Sequence, residues 1–378
     1  MHKSLFLLDP QIVFLNHGSF GACPRSVFSI YQGWQLELER QPVEFLGRRI
    51  EGLLDDARAV LANYLNAERD DLIFVPNATA GVNIAARSLR LQPGDEILTT
   101  THEYGACDTT WERVCAKTGA VYKKRSIPLP LVSDAEFVEA LWAGVTPRTR
   151  VIYLSHITSP TALIFPVVEV CRRARESGIL TVIDGAHAPG QIRVDLSEID
   201  ADFYTGNCHK WMCAPKGAGF LHVRREHQTW VEPLMTSWGY THGDTFVSRQ
   251  QMQGTRDPAA YLTVPAAIQF LREHHWEHVQ AECHQQAIDL RDRLVTLTGL
   301  PALCDNDHFR QMFTVAVPPT DPAVLKRRLY DEFRIELPVI EWDDRLFIRV
   351  SIQVYNTPED GEQLLLALDK LGVTAQRV

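Results

Sequence analysis

Ile179-Leu-Thr-Val-Ile-Asp-Gly-Ala-His-Ala-Pro-Gly190 is the stretch on which the fold turns. Its first five residues are apolar or β-branched with no in/out alternation. A strand built from them is covered on both faces, as in a mainly parallel sheet between helix layers, and the small residues after Asp184 form a turn at its end. Arg150-Val-Ile-Tyr-Leu154 has the same texture. Outward from these two runs, residues 71–223 repeat one pattern, a short apolar run followed by a stretch of helical spacing. Strands are expected at 72–75, 96–99, 120–123, 150–154, 180–184, 202–205 and 218–223. Helices are expected at 78–89, 104–118, 134–144 and 167–177, with Gly119 and Gly178 at their C-terminal caps. This is an α/β sandwich, a seven-stranded mainly parallel sheet between helices.

Composition bounds what such a fold does. The chain has 378 residues, 45% hydrophobic and 22% charged, which excludes disorder and allows a large core. Its 38 basic and 47 acidic residues leave a net charge of −9, so no nucleic-acid or anionic-membrane partner is expected. The first residues lack the features of a targeting segment, and no apolar run approaches the roughly 20 residues that span a bilayer. The eight cysteines are scattered without metal-binding spacing, so no metal is expected and a reduced, cytoplasmic setting is. Only eight of the basic residues are lysines, few enough to weigh one by one.

After Pro265 the texture changes. Residues 266–297 read as one long amphipathic helix, followed by a strand at 312–317, a helix at 322–333, strands near 338–342 and 346–350, and a closing helix. Thr357 is its N-cap, Pro358 its first residue and Asp360 its capping-box acid. The organisation expected is an N-terminal arm over 1–20, a large domain over 21–262 and a smaller α+β domain over 263–378.

Three segments carry candidate chemistry. The polar, Gly-rich connection Tyr204-Thr-Gly-Asn-Cys-His-Lys-Trp-Met-Cys-Ala-Pro-Lys-Gly-Ala-Gly-Phe220 holds Lys210 and Lys216, the only lysines between Lys124 and Lys326. One of them is a candidate amine for a Schiff base with a carbonyl cofactor, although a loop lysine taken alone reads as solvated surface. Asp184, at the tip of a buried strand, needs a cationic partner such as a protonated pyridine nitrogen, unless it only caps a turn. The strand-turn-helix Phe74-Val-Pro-Asn-Ala-Thr-Ala-Gly-Val-Asn83 offers helix N–H groups and the Thr79 hydroxyl to a phosphate. Neither the dinucleotide-binding nor the Walker A glycine pattern occurs. An anchor, a counter-charge and an amine, in that order, suit pyridoxal phosphate.

With those residues in view, the chain resembles fold-type I pyridoxal-phosphate enzymes of the class V aminotransferase superfamily, and within them the isopenicillin N epimerase-like branch. The stretches that carry the resemblance are Phe14-Leu-Asn-His-Gly-Ser-Phe-Gly21, Pro76-Asn-Ala-Thr79, His102-Glu-Tyr-Gly-Ala106, His156-Ile-Thr-Ser-Pro-Thr-Ala162, Asp184-Gly-Ala-His187, His209-Lys-Trp211, Gln253-Gly-Thr-Arg-Asp257, and Ile348-Arg-Val-Ser-Ile352 with Tyr355-Asn-Thr357. The resemblance implies Lys210 as the Schiff-base lysine, Asp184 as the pyridinium partner, and a phosphate cradle of Ala78 and Thr79 with donors from Asn207 and His209. It further implies Tyr104 as the ring stacked on the cofactor, Ser159 or Thr158 near the phenolic oxygen, and His187 beside the ring. Gly254 and Thr255 would reach the phosphate of a neighbouring subunit, hence a homodimer with shared sites. Arg349 would clamp the α-carboxylate of an amino-acid-type substrate. Asn16, His17 and Gly18 would line the substrate side, and Arg256 would meet a second acidic group.

The implied chemistry is removal of the Cα proton by Lys210 through aldimine and carbanion chemistry, with epimerisation or racemisation ahead of C–S lysis or transamination. A cysteine desulfurase is the lesser reading, because residues 334–349 contain no cysteine. A protein that binds the cofactor without turnover is the non-enzymatic alternative.

Overall fold

In the computed structural model, which describes residues 3–375, two long helices, α1 (Arg25–Arg40) and α2 (Ile50–Tyr64), precede the main sheet. Seven strands then form one sheet: β1 (Leu72–Val75), β2 (Glu96–Thr100), β3 (Val121–Arg125), β4 (Thr149–Ser155), β5 (Leu180–Gly185), β6 (Phe203–Asn207) and β7 (Gly219–Val223). Their order is β1-β7-β6-β5-β4-β2-β3. All run parallel except β7, which is antiparallel to both β1 and β6. The absence of alternation in the sequence has its cause here. Leu72, Phe74, Ile152, Leu154 and Ile183 belong to one apolar layer, and Ile73, Val75, Val151, Tyr153 and Val182 to a second. With both faces buried, each large side chain contributes about 1.5–3 kcal/mol of transfer free energy.

Between the strands lie α3 (Ala78–Ser88), α4 (Gly105–Thr118), α5 (Asp134–Trp142) and α6 (Val167–Glu176). The Asn77 side chain caps α3 by accepting the Ala80 N–H, so this helix starts directly behind β1. Gly119 ends α4 in the left-handed conformation at φ +78°, which glycine adopts without a Cβ penalty.

The expected single helix over 266–297 is a correction. Two helices stand there, α7 (Val264–Glu273) and α8 (Trp276–Thr298), with His275 between them at φ +49°. Local propensity has no reason to break at this point; tertiary contacts do it. Trp276 is buried, and its Nε1 together with Gln280 Nε2 donates to the Gly190 carbonyl, at 3.2 and 2.7 Å.

Beyond α8, β8 (Met312–Val317), β9 (Val339–Trp342) and β10 (Arg345–Ser351) form an antiparallel sheet in the order β9-β10-β8, packed with α9 (Pro322–Phe333) and α10 (Pro358–Lys370). Thr357 and Asp360 close the capping box of α10. The N-terminal segment is fastened to this region, since Val13–Phe14 pairs in parallel with Ile335–Glu336 and Leu15 accepts the Ser351 N–H. Among the described residues no helix is long and apolar enough to cross a membrane.

Candidate active site

The C-terminal tips of β4, β5 and β6 open on a cavity of about 300 Å³, also walled by the start of α3, the turn before α4 and the N-terminal segment. Ligands bind at this end of parallel sheets because the strands stop there and the helices begin.

Asp184 is the penultimate residue of β5 and is 3% exposed. One carboxylate oxygen accepts the Ala186 N–H at 2.9 Å, and the other faces the Tyr153 hydroxyl at 3.4 Å and Cys107 Sγ at 3.7 Å. Burial raises its pKa, opposed by the Ala186 N–H and the nearby Lys210 charge. No basic side chain forms an ion pair with it among the described residues, so a cationic ligand nitrogen would complete the site.

Lys210 follows β6, on the strand beside β5. Its Nζ lies 3.2 Å from His187 Nε2, and the His187 Nδ1 takes the indole N–H of Trp211 at 3.4 Å. An indole can only donate, so Nδ1 is the acceptor and the neutral imidazole carries its proton on Nε2. His187 stays neutral because burial, then the Lys210 and Arg349 charges, push its pKa well down. Its Nε2–H therefore faces the Lys210 amine, which accepts that hydrogen bond when it is uncharged. Burial, then Arg349, lower the Lys210 pKa to about 8, which brings the neutral amine within reach near neutrality. Lys216 is placed otherwise: its Nζ donates to the Gly21 carbonyl at 2.9 Å, outside the cavity lining.

Across the floor, Asn207 Oδ1 accepts the Ala78 N–H at 2.8 Å, which leaves its NH₂ as a donor beside the N-terminus of α3, where Ala78 and Thr79 also line the cavity. His209 lines the same wall, and its Nδ1 lies 2.8 Å from the Ala218 carbonyl. Its Nε2 would thus donate to an anion only on taking up a second proton. Helix N-terminus, amide donor, buried acid and free amine match the phosphate, the ring nitrogen and the aldehyde of pyridoxal phosphate.

Arg349 on β10 is not itself in the lining but stands behind Ser19 and Ser159, which are. It is 4% exposed and has no acidic partner among the described residues. Its Nη1 donates to the Ser159 carbonyl and hydroxyl at 2.7 and 3.1 Å, its Nη2 to Ser19 Oγ at 3.0 Å, and its buried Nε to nothing. Burial lowers its pKa to about 10. A buried guanidinium without an anion is costly and calls for one.

Ala78, Thr79, Tyr104, Ser159, Asp184, His187, Asn207, His209 and Lys210 all line the cavity. Thr158 does not; its hydroxyl is taken by Thr161 and the Leu163 N–H. From the arm it is Ser19 and Phe20 that reach the lining, whereas Asn16, His17 and Gly18 lie behind them. Asn16 donates to Glu336, Gly18 N–H to Ser351, and the His17 ring bridges Tyr355 and the Lys210 carbonyl. Gly254 and Thr255 are exposed and outside the lining of their own chain. Arg256 is engaged by Gln253, the Gln251 carbonyl and Tyr261.

Sequence reasoning missed Glu103, which is 5% exposed. Its carboxyl meets the Thr100 hydroxyl at 2.6 Å and the N–H and hydroxyl of Ser155 at 2.8 and 2.6 Å. It ties the turn bearing Tyr104 to the tip of β4, and burial pushes its pKa up to about 8. Only its place beside Tyr104 in the quoted stretch hinted at it.

The sequence profile of the family described as "Aminotransferase class-V" matches residues 29–364. The chain is 38% identical to an isopenicillin N epimerase of Streptomyces clavuligerus, over 98% of this chain and 97% of that one. It is 30% identical to a probable chloroplastic L-cysteine desulfhydrase of Arabidopsis thaliana, over 96% and 83%. In structure it resembles a cystine C–S lyase solved with its product cysteine persulfide, at a TM-score of 0.84 with 23% identity, covering 97% of this chain and 98% of that one. With the profile matched over most of its length, the chain belongs to the class V aminotransferase family, a fold-type I enzyme family, and its cofactor is pyridoxal phosphate.

Proposed function

We propose that the enzyme epimerises or racemises the α-carbon of an amino-acid-type substrate, as the isopenicillin N epimerases it resembles are named for doing. The observation that carries this reading is Lys210 Nζ, 3.2 Å from His187 Nε2 in a cavity whose lining includes no cysteine, taken together with the 38% identity to an isopenicillin N epimerase. Pyridoxal phosphate, when bound, supplies an aldehyde for the substrate amine and a conjugated ring that accepts the electron pair released at Cα.

The chain's own residues do the rest. Arg349 binds the substrate carboxylate and so sets which Cα bond is directed at the base. Lys210 Nζ takes the Cα proton, and its pKa near 8 suits a base working near neutrality. Asp184, buried and without a basic side-chain partner among the described residues, would hold the proton on the cofactor's ring nitrogen. Asn207 and the start of α3 would hold the phosphate, and Tyr104 would pack against the ring. Inversion is completed by a proton drawn from solvent and delivered to the face of Cα opposite Lys210. Gly254 and Thr255 are assigned to the partner's site in a homodimer, and the enzyme is assigned to the cytoplasm. The divisions 1–20, 21–262 and 263–378 belong to the same reading.

A second reading, C–S lysis with release of sulfide, is favoured by the desulfhydrase relative. It starts with the same proton removal and needs no protein thiol. Desulfurase chemistry does need one, and Cys304 is buried with its thiol pushed up to about 12. Incubation with single enantiomers separates the readings: inversion seen by chiral chromatography supports epimerisation, and stoichiometric sulfide or keto acid in its place refutes it.

A further inference from the structure

Arg349 ends a run of contacts that reaches into the N-terminal arm. Its Nη2 donates to Ser19 Oγ at 3.0 Å, Ser19 Oγ donates to Asn16 Oδ1 at 2.5 Å, and Asn16 Nδ2 donates to Glu336 at 3.1 Å. The same arm turn is closed by two backbone bonds, Ser19 N–H to the Asn16 carbonyl at 3.2 Å and Gly21 N–H to the His17 carbonyl at 2.7 Å.

A planar guanidinium receives a carboxylate through two parallel N–H bonds along one edge. The edge ending in Nη1 is committed to the carbonyl and hydroxyl of Ser159. Along the other edge, Nε has no partner and Nη2 has only the neutral hydroxyl of Ser19. A carboxylate can take this edge once a single hydroxyl leaves, and Ser19 lines the cavity from which it would arrive.

We propose that Ser19 is a placeholder on Arg349 that the substrate carboxylate displaces, and that its departure loosens the Asn16–Ser19 contact so that the N-terminal arm responds to occupancy. This rests on Arg349 being the carboxylate clamp. Ser19 is then a specificity-determining residue: its hydroxyl excludes weak anions from the clamp and yields to a carboxylate that fills both N–H positions.

The test titrates acetate, a bare carboxylate, into the full-length holoenzyme and follows the absorbance of the bound cofactor and hydrogen exchange of the amides at 16–21. In the wild type, acetate should speed exchange at Ser19 and Gly21. Ser19→Ala should bind acetate roughly 3- to 10-fold more tightly, because one hydrogen bond to a charged group no longer has to break. Its arm exchange should be fast without acetate and unaltered by it, and Ser19→Thr should restore wild-type behaviour. Equal or weaker acetate binding by Ser19→Ala overturns displacement, since Ser19 then supports the anion. Wild-type arm exchange that is indifferent to saturating acetate overturns the coupling. If Arg349→Lys binds acetate as the wild type does, the clamp assignment itself falls and the placeholder with it.

Discussion

The cavity has a floor and a roof built on different principles. On the floor, Asp184 lies on a strand and Lys210 in the turn just after its parallel neighbour, where Asp184 pairs in register with Thr205. Sheet hydrogen bonds hold Asp184, and a turn closed by the Cys213 N–H on the Lys210 carbonyl holds Lys210, so the charge-handling groups have little freedom. On the roof, Arg349 meets Ser19 across 330 residues of chain and Ser159 across 190, through side chains that can exchange partners. The contrast separates two tasks: the floor handles protons in a fixed geometry, and the roof recognises a carboxylate with groups that must give way to it.

If that division is right, damage to the floor should dwarf damage to the roof. Lys210→Ala should reduce turnover by at least about 10³-fold and abolish borohydride trapping of cofactor on the protein. Asp184→Asn should lower kcat by about 10²-fold, with a changed absorbance spectrum and little change in KM. Arg349→Lys, which loses the fork but keeps the charge, should raise KM by roughly 10- to 10²-fold, with a loss of kcat smaller than that of Asp184→Asn. A larger kcat loss in Arg349→Lys than in Asp184→Asn would break the comparison.

Two smaller effects sharpen it. Only the neutral amine attacks an aldehyde, and burial brings the Lys210 pKa down to about 8. Cofactor capture by the cofactor-free protein should therefore rise with pH, level off above about 8, and fall about tenfold per unit below it; stopped-flow absorbance follows this. Glu103→Gln keeps an acceptor for Ser155 and a group for Thr100, so kcat/KM should change by less than about threefold. Glu103→Ala strands those partners and should cost about 1–3 kcal/mol in thermal or urea unfolding.

The floor was largely legible because its signals are local. Continuous apolar runs mark doubly covered strands, and an acid at a strand tip and a lysine in the next connection lie 26 residues apart. Choosing between Lys210 and Lys216 needed the family pattern, since nothing local says that one amine faces a cavity and the other the Gly21 carbonyl. The roof was half legible. Arg349 stood out by resemblance, but Ser19 and Phe20 reach the lining through arm pairing with Ile335–Glu336, a contact no local pattern encodes. The break at His275 was invisible for a related reason, set by Trp276 and Gln280 reaching Gly190. Glu103 was hidden because its carboxyl is satisfied by hydroxyls and an N–H, with no cation to flag it.

The most direct test of the central claim is Cα exchange in deuterated water, read by mass spectrometry and chiral analysis, for the wild type and Lys210→Ala side by side. The account predicts deuterium at Cα with inversion in the wild type and neither in Lys210→Ala. Exchange that survives without Lys210, or wild-type turnover to sulfide, pyruvate or keto acid with no inverted product, would contradict it.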